Sequence, residues 1–262
     1  MKLVVLRGGQ EHHRGACPRG LEPAPTSRHG AIALSDRGER WALLNVAPNV
    51  ADQLSADPAL RHHAGLADAE VRTIVLTDAQ VDHVSGLLSL RDGAPIALYC
   101  TPAVFEALSQ NMPVLQVLQQ YCGVHWHVIP VAGEALSASF RVEAVPELEF
   151  TALATEALTP ARLEPHETPV SAGHSIALAV RDLRTGQRLF CAAGGQVLGE
   201  PQLDWLRSAD CVLLDDHTVW PDRQDAPPPD WRASRKVLMA RPDSGVNRDG
   251  FEPAYDGMVI EL

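Results

Sequence analysis

The sequence lacks any apolar run near the roughly 20 residues a helix needs to cross a bilayer. Its uninterrupted apolar stretches are short, such as Ile74 to Leu76 and Val212 to Leu214, so no membrane-spanning helix is expected. The opening Met1 to Leu6 is apolar around Lys2, but Arg7 ends it before the h-region of about 7 to 15 residues that an export signal requires. It reads as a first β-strand, in a cytoplasmic protein. Cysteine is sparse: Cys17, Cys100, Cys122, Cys191 and Cys211 are odd in number, widely separated and without a C-x-x-C pair. That excludes a disulfide framework and points to reduced thiols. Basic residues are outnumbered, 22 against 33 acidic, for a formal charge of -11. A surface of that sign repels phosphate backbones and anionic lipid, which argues against nucleic-acid or membrane partners. No G-x-G-x-x-G, no G-x-x-x-x-G-K-[ST] and no G-x-S-x-G occurs, so phosphate cradling and serine hydrolysis have no motif to stand on.

What is present is a globular chain of 262 residues, 45% hydrophobic and 21% charged. A chain of that size buries roughly three quarters of its unfolded surface. Runs rich in Val, Ile and Leu predict strands at Lys2–Leu6, Gly30–Leu34, Arg40–Asn45, Arg72–Leu76, Pro95–Cys100, His125–Pro130 and Glu147–Leu153. Others follow at Ser175–Val180, Gln187–Cys191, Cys211–Asp215, Lys236–Ala240 and Gly257–Glu261. Helical patterns cover Asn49–Ser55, Val84–Leu90, Pro102–Leu108, Val114–Tyr121 and Pro201–Ser208. Thr185-Gly186 predicts a hairpin between Val180 and Leu189. Such an order fits either two sheets packed face to face with helices outside or a doubly wound sheet. Arg7–Arg28 and Pro221–Ala233 read as loops within one domain, because neither is long enough to join independent units.

Chemistry is concentrated where the strand ending at Leu76 runs into Thr77-Asp78-Ala79-Gln80-Val81-Asp82-His83. Loops at the ends of buried strands are held rigid by the sheet, which favours catalytic groups there. A carboxylate and a neutral imidazole both suit a divalent transition metal, so Asp82 and His83 can converge on one ion. The alternative is that Asp82 caps the following helix. His174, before the strand at Ser175, and Asp216-His217, after the strand at Cys211, repeat the pattern of metal-binding groups at strand ends. A lone His174 is also an ordinary hydrogen-bonded histidine. His125 and His127 alternate along one strand and read as an exposed face.

Several stretches together resemble the pyrroloquinoline quinone biosynthesis protein B family of the metallo-β-lactamase superfamily. They are Glu39 to Pro48, the D-x-Q-x-D-H of Asp78 to His83 in place of the superfamily's H-x-H-x-D-H, Leu98 to Val104, Tyr121 to His127, Ala209 to Leu214 and Asp256 to Leu262. The resemblance implies an α/β fold, the αββα four-layer sandwich of metallo-β-lactamase type, formed as a single domain over residues 1–262. It implies catalytic roles for Asp78, Gln80, Asp82 and His83, and matches Asp82, His83 and Asp216 to metal-site positions. With His174 they form a rearranged ligand set of Asp82, His83, His174 and Asp216.

The implied activity is metal-dependent hydroxylation or oxidation of a tyrosine-derived precursor, with Fe(II) favoured and zinc as the other choice. The implied partners are a small-molecule or peptide-derived precursor, other cofactor-biosynthesis proteins and a second copy of the chain. Two readings stand beside it: a non-catalytic paralogue that binds or carries the precursor, and a metal-dependent hydrolase. Hydrolysis is disfavoured by Asp78 and Gln80 standing where histidines are expected. Only Cys17 remains of the family's C-x-C-x-x-C, so no structural zinc is expected there. Arg241, or no residue at all, stands where a ligand histidine belongs, and a guanidinium cannot deprotonate to bind a cation.

Overall fold

The computed structural model describes residues 1–7, 30–58, 60–157, 172–194, 196–215, 218, 231–239 and 250–262. In chain order, β1 (Lys2–Arg7), β2 (Ala31–Ser35) and β3 (Ala42–Leu44) precede α1 (Val50–Ala56) and β4 (Arg72–Val75). Then come α2 (Val81–Val84), α3 (Gly86–Ser89), β5 (Ile96–Cys100), α4 (Pro102–Glu106), α5 (Val114–Gln119) and β6 (Val124–Val128). The remainder comprises β7 (Ser137–Arg141), β8 (Leu148–Ala154), β9 (Glu156–Ala157), β10 (Ile176–Asp182), β11 (Arg188–Ala192) and β12 (Gln196–Val197). It closes with α6 (Glu200–Ser208), β13 (Cys211–Asp215), β14 (Arg235–Met239), β15 (Glu252–Pro253) and β16 (Val259–Glu261).

Two seven-stranded sheets result, ordered β16-β1-β2-β3-β4-β5-β6 and β15-β14-β13-β11-β10-β8-β7, with β12 and β9 as a small separate pair. Both sheets are mixed. From β3 to β6 the neighbours are parallel and are joined by helical crossovers, whereas β1, β2 and β3 are antiparallel. The second sheet is antiparallel from β7 through β11 and parallel from β11 to β15.

Period-two alternation sorts the apolar residues into three cores and so creates the layers. Leu3, Val5, Ile32, Leu34 and Val75 face Phe150, Leu178, Leu189 and Leu213 between the sheets. The opposite faces of the same strands, Val4, Leu6, Leu43, Ile74 and Leu98, pack under Leu54 of α1, Leu87 of α3, Val104 of α4 and Leu118 of α5. On the far side, Phe190, Val212 and Leu214 pack under Leu203 and Leu206 of α6. The expected αββα sandwich is therefore the observed architecture, and a single doubly wound sheet is not.

The predicted hairpin forms, with Val180 opposite Leu189. The helix predicted at Val84 begins earlier, at Val81, and is interrupted at Ser85, so Asp82 and His83 lie on a helical turn. The edge strand β7 escaped prediction because Ser137, Ser139 and Arg141 supply no apolar run, although Ala138 and Phe140 alternate inward. No helix among the described residues is long and apolar enough to cross a membrane.

Candidate functional site

The two sheets meet where β4 runs out. Thr77 accepts a hydrogen bond from Ile176 N–H at 2.9 Å, and Asp78 forms an antiparallel bridge with Ser175 just before β10. This junction buries the polar residues that follow the strand. Asp78 is 2% exposed and His83 is fully buried, so their polar groups must find partners inside the protein. The carboxylate of Asp78 spans His83 Nδ1 at 2.8 and 2.9 Å. It also accepts the Gln80 backbone N–H at 2.8 Å, which turns the chain into α2. The helix is thus started by Asp78 rather than by Asp82, and the capping role weighed for Asp82 is not observed. The carbonyl of His83 accepts Val46 N–H at 2.7 Å, fixing the backbone beneath the ring.

With Nδ1 committed to Asp78, the chemistry of His83 rests on Nε2, which is buried and has no hydrogen-bond partner among the described residues. Burial opposes the charged imidazolium, but the charge and hydrogen bond of Asp78 outweigh it, helped by Asp215 and Asp82, and the pKa of His83 is raised. The site therefore combines one imidazole with the negative field of three carboxylates. Gly194, after β11, closes over it: a Cβ there would lie 2.6 Å from Gln80 Nε2 and His83 Cε1 and 2.9 Å from Asp78 Oδ2. Gln80 ties this strap down by donating from Nε2 to the Gly194 carbonyl at 2.8 Å. Gly30 packs against the neighbouring Ala193, and a Cβ on it would lie 3.5 Å from His83 Nε2.

Of the four residues expected to be catalytic, Asp78, Gln80 and His83 form this cluster, and Asp82 acts on it through its charge. Asp78 binds the imidazole and Gln80 the strap, so both serve as supports here. His174 is exposed, next to the Ser175 that bridges Asp78. Asp216 and His217 lie outside the described residues, as do Cys17 and Arg241. Asp215 was missed. It is 1% exposed, and alternation from Cys211 and Leu213 places it on the inner face of β13, from which its charge reaches His83. The exposed face read for His125 and His127 holds for His125 only, since His127 is half-buried and stacks on Tyr99 with ring centroids 4.4 Å apart.

A metal in this region would find one prepared donor. An imidazole whose Nδ1–H is held by a carboxylate is the usual arrangement of a ligating histidine, and the bare Nε2 fits it. Beyond that atom, no three His, Cys, Asp or Glu side chains converge to hold an ion among the described residues.

A family model described as the β-lactamase superfamily domain matches residues 40–238. Coenzyme PQQ synthesis protein B of Klebsiella pneumoniae is 39% identical over 207 residues, covering 77% of this chain and 63% of that protein. The protein of the same name from Pseudomonas aeruginosa is 39% identical over 204 residues, covering 78% of this chain and 65% of its own length. The chain thus spans less than two thirds of these curated relatives. Among solved structures, Zn(2+)-bound PqqB from Methylobacterium extorquens superposes over 100% of both chains with a TM-score of 0.68 at 22% identity. A diphosphatase of the PhnP family superposes with a TM-score of 0.58 at 15% identity, over 100% of this chain and 97% of that one. At such identities the structural likenesses establish the fold.

Proposed function

This chain belongs to the β-lactamase superfamily, and from its likeness to the coenzyme PQQ synthesis B proteins we propose that it acts in the biosynthesis of pyrroloquinoline quinone or a related peptide-derived redox cofactor. Its task in this reading is the oxidation of a tyrosine-derived precursor at a centre built on His83. The observation that carries the proposal is the buried Asp78–His83 pair with its unpartnered Nε2, set at the junction of the two sheets. Asp78 holds the ring so that a nitrogen lone pair, once the ring is neutral, points away from the carboxylate. The pair is buried, with Gly194 packed closely against it. Asp82 and Asp215 make the surroundings attractive to a cation. A transition metal bound at His83, Fe(II) or zinc, would supply the redox or Lewis-acid chemistry that no side chain of this cluster supplies. We further read residues 1–262 as one domain, supported by the pairing of β1 with β16. The free thiols Cys100, Cys122, Cys191 and Cys211 support a reducing, cytoplasmic compartment.

The second reading, a metal-free paralogue that binds or carries the precursor, is favoured by the absence of three converging donors among the described residues. Elemental analysis of protein reconstituted anaerobically with Fe(II) or Zn²⁺ separates the two. Stoichiometric metal in the wild type, lost in His83→Ala together with cofactor production in a complementation assay, is expected for the oxidation reading. No bound metal, with production intact in His83→Ala, would overturn it.

A further inference from the structure

Behind the Asp78–His83 pair lies a second buried layer, formed by Asn45 and Thr77. Asn45 has φ of 57°, which among the described residues makes it the one non-glycine residue with positive φ. Asparagine tolerates the left-handed region better than other side chains, yet the conformation still costs on the order of 1 kcal/mol and persists only where surrounding contacts demand it. Those contacts are visible. Asn45 N–H donates to the Val75 carbonyl at 2.9 Å, so the chain must leave β3 with its side chain turned toward the end of β4. There Asn45 Oδ1 accepts Thr77 N–H at 3.0 Å, and Asn45 Nδ2 donates to Thr77 Oγ1 at 2.9 Å. Both residues are completely or almost completely buried.

The Thr77 hydroxyl hydrogen has two acceptors within reach, Asn45 Oδ1 at 3.1 Å and Asp78 Oδ2 at 3.2 Å. Asn45 Oδ1 already receives the Thr77 amide, and an ionised carboxylate is the stronger acceptor, so the hydroxyl is directed to Asp78. The consequence is a continuous run of hydrogen bonds from Asn45 through Thr77 to Asp78, whose carboxylate accepts the Thr77 hydroxyl on one side and His83 Nδ1–H on the other. Each oxygen of Asp78 then has a second partner besides the ring, Gln80 N–H on Oδ1 and Thr77 O–H on Oδ2. A carboxylate held at both oxygens cannot rotate to release Nδ1–H.

We propose that Asn45 and Thr77 are positioning residues that act through Asp78 to lock His83 in the tautomer protonated at Nδ1, keeping Nε2 as the working atom of the site. The inference rests on His83 being the centre of the site, but its test is separate. Buried polar groups satisfied in series polarise one another, so losing an outer member loosens the inner ones.

The experiment is two-bond ¹⁵N–¹H correlation of the histidine rings in labelled full-length protein, at a pH where the His83 ring is neutral. Wild-type His83 is expected to show its proton on Nδ1, exchanging slowly with solvent. In Thr77→Val that proton should exchange at least about tenfold faster, the factor for loss of one hydrogen bond to an ionised carboxylate. Thr77→Ser, which keeps the hydroxyl, should restore the wild-type rate. Asn45→Gly keeps the left-handed backbone while removing the side chain, and should behave like Thr77→Val; it decides the matter alone should Thr77→Val not fold. The proposal is overturned if wild-type His83 carries its proton on Nε2, or if folded variants exchange within twofold of wild type. Cofactor production plays no part in this readout, so failure of the relay and failure of the functional reading are distinguishable.

Discussion

Gly194→Ala tests whether the strap over the site is as tight as its geometry indicates. Two costs add at this position. Its φ of 87° is left-handed, which an alanine adopts at about 1 kcal/mol or somewhat more. The new methyl would also lie 2.6 Å from His83 Cε1 and 2.9 Å from Asp78 Oδ2. These atoms belong to a buried, mutually hydrogen-bonded pair, unlike the tip of a flexible side chain, so they cannot yield without breaking the bond between them. Overpacking of this kind costs about 1–3 kcal/mol. The total of about 2–4 kcal/mol corresponds to a fall in Tm of roughly 5–15 °C for a chain of this size. Gly186→Ala supplies the internal control: φ is 76°, but a Cβ there meets nothing within 4 Å, so only the backbone cost applies. Scanning calorimetry of wild type and the two variants should place Gly194→Ala well below Gly186→Ala. If both fall equally, or Gly194→Ala is as stable as wild type, the strap does not press on the Asp78–His83 pair and the cradle is misread.

Asp182 is fully buried. Burial works against its charge, but the α-amino group of Met1, 3.0 Å away, and the backbone N–H groups of Arg184 and Thr185 outweigh that and hold its carboxyl below the ordinary carboxylate range. A depressed pKa contributes stability that is present above the ordinary carboxylate range and is lost as pH falls through the folded value. Unfolding free energies of wild type and Asp182→Asn from urea titrations should therefore differ by about 2–4 kcal/mol at neutral pH and converge in strong acid; parallel curves throughout would refute the assignment. Burial pushes the thiols of Cys100, Cys191 and Cys211 up to about 12. Mass spectrometry after mild iodoacetamide treatment at pH 8 should find Cys122, half-buried and with a smaller rise, labelled ahead of all three. Phe150→Ala removes a fully buried ring stacked on Phe140 between the sheets, and should cost about 3–5 kcal/mol in denaturant unfolding.

The fold was legible wherever apolar alternation was strong. Leu3, Val5, Ile32 and Leu34 pack on one face and Val4, Leu6 and Ala33 on the other, and the nearly continuous apolar runs they form mark strands covered on both sides. That same double coverage is why periodicity left two architectures open. A strand buried on both faces has the same pattern in a four-layer sandwich as in a doubly wound sheet. The resemblance to a known family decided between them. Short strands at the edges were not legible, since Glu252–Pro253 and Gln196–Val197 are defined by partners distant in sequence.

At the site, residue types were legible and roles were not. Asp78, Gln80 and His83 could be chosen from sequence, but a carboxylate five residues before a histidine can be a second ligand or the group that orients it. Only the helical turn at Val81, which folds His83 back onto Asp78, decides for orientation. The choice of Asp216 over Asp215 came from the resemblance, whereas strand parity points the other way. Residues that alternate with Val212 and Leu214 face the space between the sheets, and Asp215 is one of them. A charge buried at that position is costly unless it acts on something, and the imidazolium form of His83 is what it stabilises. Asp215→Asn should consequently lower the pKa of His83 in an NMR titration while leaving the Nδ1–Asp78 hydrogen bond in place. An unchanged titration would remove Asp215 from the site.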